Sequence, residues 1–367
     1  MFRHSTFWST SVLEVNSDGA LLLDGSQDNL FGMGVRLYDN LSISIDGSDG
    51  IIVPYVEHEL LAGLWDVYLC DSMKGCKGLF LVMHNGNLAI ATKAHIGSSI
   101  IITTNKNRYY HFDYIPPIQL SYNEDRIDAQ SELEYANFRM LDSRNLRKGV
   151  FYRGGSPLNH YLSLERSRII NRLCLENNIS AIVDLVDTSS EIECRLNDYC
   201  ELKDSYAAQL YFSNNVYSGF FPRDIFGVEA RQQLLYIFHF LNSHKPPFLI
   251  HCNGGLFRTG FLCFIIEGLM GADPQELIND YMTSYVNFYR IERNGDLYNL
   301  LANLSPLRYL YIFSHLDCIN SPINVKWKHD IKDSSVHNIS KGIEEYLINY
   351  VHLSKHDIVD FKRIITE

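Results

Sequence analysis

The stretch FLIHCNGGLFRTGFLCFIIEGLMG, residues 248–271, decides how the rest of this 367-residue chain is read. A short apolar run, Phe248-Leu249-Ile250, meets His251 and Cys252; a loop with Gly254 and Gly255 follows, then Arg258-Thr259-Gly260 and a long apolar run. Short apolar runs bounded by turn residues read as buried strands and longer ones as buried helices, so the segment predicts strand, tight loop, helix. Five residues lie between Cys252 and Arg258. That spacing lets the loop curl round a tetrahedral anion, with the thiol beneath it and the guanidinium at its side.

The residue types fit that geometry. An ordinary thiol, with a pKa near 8.5, is mostly protonated at neutral pH, whereas partial positive charge at a helix N-terminus stabilises a thiolate as it stabilises an oxyanion. Cys252 is placed to benefit. Arg258 offers a planar fork that matches two phosphate oxygens, as a lysine could not. Gly254 and Gly255 let the backbone turn its amides inward, so Asn253, Gly254, Gly255, Leu256 and Phe257 together with Arg258 form the expected phosphate cradle. In-line attack by Cys252 on phosphorus would give a cysteinyl-phosphate that water then hydrolyses, with the Thr259 hydroxyl donating to the thiolate. This chemistry needs neither metal nor cofactor.

Outward from the motif, helical stretches alternate with short apolar strands: a helix near 127–136, a hairpin-like element at 149–153, a helix at 164–177, strands at 179–185 and near 207–212, and a helix at 227–242. Further helices are expected at 273–289, 295–304, 340–350 and 354–366, with Ser354 as an N-cap. Such alternation, with a glycine loop at the carboxyl end of a strand, predicts an α/β fold with a mostly parallel sheet flanked by helices. Residues 1–117 differ. Their short β-branched and aromatic runs, cut by Gly, Asn and Asp, predict a smaller antiparallel β domain with a hairpin turn at Asn85-Gly86. Pro116-Pro117 and the polar run after them mark the expected boundary, so the second domain is taken as 118–367. No internal repeat is evident.

Composition excludes several classes. An apolar fraction of 46% suits a folded core, and a formal charge of -11 argues against a nucleic-acid binder or a protein drawn to anionic lipid. No window approaches the length of a membrane span, and residues 1–12 lack the pattern of a signal peptide, so no integral membrane association is expected. Eight scattered cysteines, without CxxC pairs, suggest neither a zinc site nor disulfides and point to a reducing, cytoplasmic compartment. His84, His95 and Asp66 are too scattered for metal ligands, and Cys263 belongs to the core.

His251, Cys252, Gly255, Arg258, Thr259 and Gly260 match the HCxxGxxRTG pattern of the cysteine-dependent protein tyrosine phosphatase superfamily. Over about residues 130–367 the chain resembles the bacterial, Y-phosphatase-3-type tyrosine/lipid phosphatases. Asn137-Phe138-Arg139 and Tyr152-Arg153 are similar to that family's entry motif, and Asp184-Leu185 with Glu191 to its DLR…E strand end. Asp280-Tyr281-Met282 is similar to the helix after its loop, and residues 342–358 to its terminal helical pair. The resemblance implies a phosphoric monoester hydrolase, most plausibly a protein tyrosine phosphatase, acting on a phosphorylated protein or a small phosphomonoester.

The chain departs from that family in its loop, where Leu256 and Phe257 replace the usual Lys-Asp. The loop aspartate is a candidate general acid, and without an acid turnover of poor leaving groups slows by about 10²–10⁴-fold. The expected replacement is Asp224, in a Gly/Pro-bearing loop 28 residues before Cys252, with a helix N-cap as its competing role. Asp187 is the second choice, and Asp280 reads as a structural helix residue. Arg139 and Arg153 either touch substrate or order a loop through carbonyls or Glu191; Tyr285 or Tyr289 line the mouth or pack the helix. Two rival functions stay open: a pseudophosphatase that only binds phospho-ligands, and a phosphoinositide or inositol-phosphate phosphatase.

Overall fold

β-Branched runs in the first hundred positions build strands, as their side-chain shape favours. The computed structural model describes residues 7–57, 62–104, 120, 129–158, 163–198, 200–325 and 338–366. Its chain divides into two units, Met1–Gln119 with Asp317–Trp327, and Leu120–Leu316 with Lys328–Glu367. The boundary expected at Pro116-Pro117 lies outside the described residues.

The first unit contains β1 (Phe7–Val15), β2 (Leu21–Leu23), α1 (Gln27–Gly32), β3 (Asn40–Ile45), β4 (Ile51–Val56), β5 (Val67–Met73), β6 (Cys76–Met83), α2 (Leu88–Thr92) and β7 (Ser99–Thr104). Its strands close into a barrel in the order β1-β2-β6-β5-β4-β3-β7. The expected antiparallel β domain is corrected here: it is a closed barrel whose pairings are antiparallel except one. β4 and β5 pair in parallel through Tyr55↔Leu69 and Val56↔Cys70, and closure removes free sheet edges. The hairpin turn also moves. Lys74-Gly75, both at positive φ, joins Met73 to Cys76 as a two-residue turn requires, while Asn85-Gly86 leads from β6 into α2. A weak repeat escaped the sequence: strand, short capped helix and strand recur as β2-α1-β3 and β6-α2-β7. Equivalent strands pair, β2 with β6 and β3 with β7.

The second unit runs α3 (Glu132–Tyr135), β8 (Arg139–Met140), β9 (Phe151–Gly154), α4 (Leu164–Glu176), β10 (Ala181–Asp184), α5 (Ser189–Asp198), α6 (Cys200–Lys203), α7 (Tyr206–Phe212), β11 (Val216–Ser218), α8 (Val228–Ser243), β12 (Phe248–His251), α9 (Phe257–Leu269), α10 (Pro274–Tyr289), α11 (Asp296–Leu304), α12 (Pro306–Ser314), α13 (Ile339–Asn349) and α14 (Lys355–Thr366). The sheet order is β11-β10-β12-β9-β8, with every pairing parallel except β8 with β9. The expected mostly parallel sheet is therefore present. Residues 207–212, read as a strand, are instead the helix α7. The Ser205 hydroxyl accepts the Ala208 N–H at its start, and Ala207 and Ala208 are fully buried in the core shared with α4. The strand follows, at β11.

β12 is buried along its whole length, as a central strand covered on both faces must be. α9 is buried from Thr259 to Leu269. At Gly260 a methyl group would come within 2.6 Å of the Tyr281 ring, so this glycine sets how closely α10 approaches α9.

Candidate active site

Parallel register places His251 opposite Asp184 of β10 and Gly154 of β9, so three strand ends finish level beneath the 252–258 loop. Ligand sites of open α/β sheets form at such ends. Cys252, only 7% exposed, follows β12 directly.

Three successive loop carbonyls are held on the scaffold side. Asn253 O accepts the Ser156 N–H at 3.0 Å. Gly254 O accepts Asn137 Nδ2 at 2.9 Å. Gly255 O accepts Arg153 at 3.0 Å and the Ser284 hydroxyl at 3.3 Å. In a planar trans peptide the following N–H points the opposite way. The amides of Gly254, Gly255 and Leu256 are therefore turned away from the scaffold, and none of them has a backbone acceptor among the described residues. α9 adds the orphan N–H groups and positive end of its first turn. Gly255, at φ +75°, makes the bend.

A buried ionic network supports this backbone. Arg139 donates from Nε to Asp280 Oδ1 at 2.9 Å, to the Asp280 carbonyl at 2.6 Å and to the Ser284 hydroxyl at 3.1 Å. Fully buried Arg153 pairs with the other Asp280 oxygen. Burial alone would raise the Asp280 carboxyl; the two arginines outweigh it and hold it below its ordinary value. Burial, then the Asp280 charge, raises Glu267 well above the usual carboxylate range, so it enters the network neutral and hydrogen-bonds Asp280. Asp280, not Glu191, is thus the partner of both arginines; Glu191 accepts the Thr188 N–H and hydroxyl instead. Of the two roles expected for Arg139 and Arg153, the ordering of backbone through carbonyls is the one present, with Gly255 O for Arg153 and Asp280 O for Arg139; the part played by Asn137 was not read. Ser284 was missed, although it lies one turn after Asp280 on the same helix face.

Arg258 opens α9, with its guanidinium 4.4 Å from the ring centre of Phe220, which is 52% exposed. Thr259 is fully buried, and its hydroxyl has no hydrogen-bond partner among the described residues. Leu256 and Phe257 are half-buried. On α10, burial first and then the Cys252 charge raise the Tyr289 phenol, and Cys252 also acts on Tyr285, so both rings neighbour the thiol. Phe288 contacts Gly254, where a methyl group would sit 2.6 Å from the ring. Burial pushes the Cys263 thiol far up, as its core position requires.

Beside the loop stands an acidic cluster. His251 Nε2 is 3.8 Å from Asp184 Oδ2. This contact is not an ion pair at neutral pH, because burial lowers His251 to about 4 and raises Asp184 to about 7. Asp184 Oδ1 accepts the N–H groups of Val186 and Asp187. Asp187 is 1% exposed; its Oδ1 accepts Arg195 at 2.7 Å, and its Oδ2 is buried without a partner among the described residues. Burial, then the Asp184 charge, raises Asp187 to about 6. Both carboxyls act electrostatically on Arg258.

Asp224 is placed differently. Its carboxyl accepts the N–H groups of Phe226 and Gly227 at the start of α8 and lies near Arg231 and Tyr346; burial raises it to about 6. Among the described residues no group of three or more His, Cys, Asp or Glu could hold a metal. Asp66 binds the Gly63 N–H and His95 the Ser98 hydroxyl, both local contacts.

A parallel sheet ends in a glycine loop, with a cysteine before it and an arginine in the first turn of the helix that follows. The model of the tyrosine phosphatase family matches residues 134–367, and the chain belongs to that family. No curated protein matches the chain. Among solved structures, an uncharacterized conserved protein from Thermotoga maritima aligns with 11% identity over 27% of this chain and 36% of its own, at a TM-score of 0.24. A likeness so slight says nothing about this chain.

Proposed function

We propose that this tyrosine-phosphatase-like phosphatase is a protein tyrosine phosphatase working through a cysteinyl-phosphate on Cys252. The observation that supports this most is the capture of three successive loop carbonyls by Ser156, Asn137, Arg153 and Ser284, which leaves the intervening amides to an anion. The substrate phosphate sits on those N–H groups, gripped by Arg258 through two parallel hydrogen bonds. Cys252 Sγ attacks phosphorus, the bond to the phenolic oxygen breaks, and that oxygen takes a proton from a carboxyl, for which Asp224 and Asp187 are the candidates. Water then attacks the cysteinyl-phosphate, releasing inorganic phosphate and restoring the thiolate, which Thr259 steadies. Amides fixed before reaction need no reorganisation when charge develops on the transferring oxygens.

The half-buried Leu256 and Phe257, with exposed Phe220, give the rim an aromatic, apolar lining that suits a phenyl phosphate better than a polyanionic inositol ring. No helix among the described residues is long and apolar enough to cross a membrane; a phosphorylated protein in the cytoplasm is the proposed substrate. The test is phosphate release from phosphotyrosyl peptides against phosphoinositides, with Cys252→Ser as control. Preference for the lipid overturns the substrate choice. Tight phosphopeptide binding by protein with an intact thiol, without turnover of any substrate, favours the binding-module reading that the Leu256-Phe257 pair raises.

A further inference from the structure

We propose that Asp187, anchored by Arg195, is the carboxyl that protonates the leaving oxygen, and that Asp224 serves the fold; this rests on the phosphatase reading above. Geometry separates the two. Leu185 N–H donates to His251 O at 3.0 Å, so the chain leaving β10 runs beside the residue preceding the nucleophile, and Asp187 follows two positions later. One of its oxygens is fixed by Arg195 from α5. The other is buried with no described donor or acceptor, an arrangement that a carboxylate tolerates poorly and that a carboxylic acid facing a substrate oxygen resolves.

The groups around Asp187 are Asp184 at the end of β10, His251 of β12, Arg195 of α5 and Arg258 of α9. Arg195 draws the Asp187 carboxyl toward ionisation, but burial and the neighbouring Asp184 outweigh it. Its pKa near 6 lies close to working pH, where an acid is both sufficiently protonated and sufficiently strong. Asp224 has a comparable pKa but spends its carboxyl on two backbone N–H groups at the start of α8, beside Arg231.

In the step proposed, Sγ–P forms as P–O breaks, and the Asp187 Oδ2 proton passes to the departing phenolate. The resulting carboxylate then takes a proton from the water that attacks the cysteinyl-phosphate, so the acid is regenerated each turn.

The experiment compares Asp187→Asn, Asp224→Asn and Arg195→Gln on a phosphotyrosyl peptide and on dinitrophenyl phosphate, whose leaving group needs no proton, with kcat followed against pH. Asp187→Asn is expected to lose about 10²–10⁴-fold on the peptide, far less on the activated ester, and to abolish the basic limb of the profile. Arg195→Gln removes a cation and is expected to move that limb to higher pH, a shift that lost packing would not produce. Asp224→Asn is expected to keep its substrate ratio and its limb. Equal losses of Asp187→Asn on both substrates, a limb unmoved in Arg195→Gln, or a leaving-group-dependent loss in Asp224→Asn each overturn the assignment. If Asp187→Asn does not fold, the Arg195→Gln profile alone decides. Failure of the wild type on the activated ester would instead sink the phosphatase reading itself.

Discussion

Replacing Gly255 by alanine tests whether the loop conformation is what makes the cradle. At φ +75° a residue with a Cβ is disfavoured by about 1–2 kcal/mol. The added carbon would also stand 2.4 Å from Gly154 O, 2.6 Å from Gly154 C and 3.1 Å from Asn137 Nδ2. Gly154 is paired in the sheet with His251 and cannot retreat, so the loop must. Overpacking of that kind adds about 1–3 kcal/mol. Together these predict a loss of about 2–5 kcal/mol in urea unfolding, with the m-value unchanged. Displacing Gly255 O also stretches its bonds to Arg153 and Ser284, so the amides of Gly255 and Leu256 lose their aim. Vanadate affinity and kcat/KM should therefore fall under conditions where the variant is still fully folded. A Gly255→Ala protein within about 0.5 kcal/mol of wild-type stability and with wild-type vanadate affinity would refute the reasoning.

Three further outcomes follow from the network around the loop. Asp280→Asn leaves Arg139 and Arg153 buried with no carboxylate between them; breaking such a site costs about 3–5 kcal/mol, read by denaturation. Asp184→Asn keeps the two N–H contacts of Oδ1 but cannot ionise. Because the folded pKa of Asp184, about 7, exceeds its unfolded 3.8, the native protein holds the extra proton and wild-type stability falls as pH rises from about 4 to 7. The variant should lose less over that window, which unfolding curves at several pH values will show; identical pH slopes would count against the neutral Asp184. Phe220→Ala removes a ring stacked on Arg258 at an exposed site, worth about 0.5–1 kcal/mol, so KM for aryl phosphates should rise roughly two- to fivefold with melting temperature unchanged.

The strand, loop and helix of residues 248–271 were legible because an apolar run, glycines that demand a bend and a second, longer apolar run follow one another there. The mostly parallel sheet followed from alternation, and of the helices after α9 all but α12, which was not read, were placed to within a residue. Local chemistry misled where tertiary contacts decide. Residues 207–212 read as a strand, yet the two alanines and the Ser205 cap commit them to a helix packed on α4. Barrel closure in the first unit needs β4 to lie parallel to β5, a long-range choice with no local signature. Residue types likewise singled out Asn137, Arg139 and Arg153, but not their convergence, through Asp280 and Ser284, on the Gly254 and Gly255 carbonyls. That convergence depends on elements more than a hundred positions apart in the chain.

The central claim is that Cys252 carries the phosphoryl group. Acid quenching of the protein during turnover of a phosphotyrosyl peptide, followed by mass spectrometry of the fragment spanning residues 248–258, tests it most directly. One phosphoryl group on Cys252, absent from Cys252→Ser, is the predicted result. Turnover without any such adduct, or an adduct on another residue, would contradict the account.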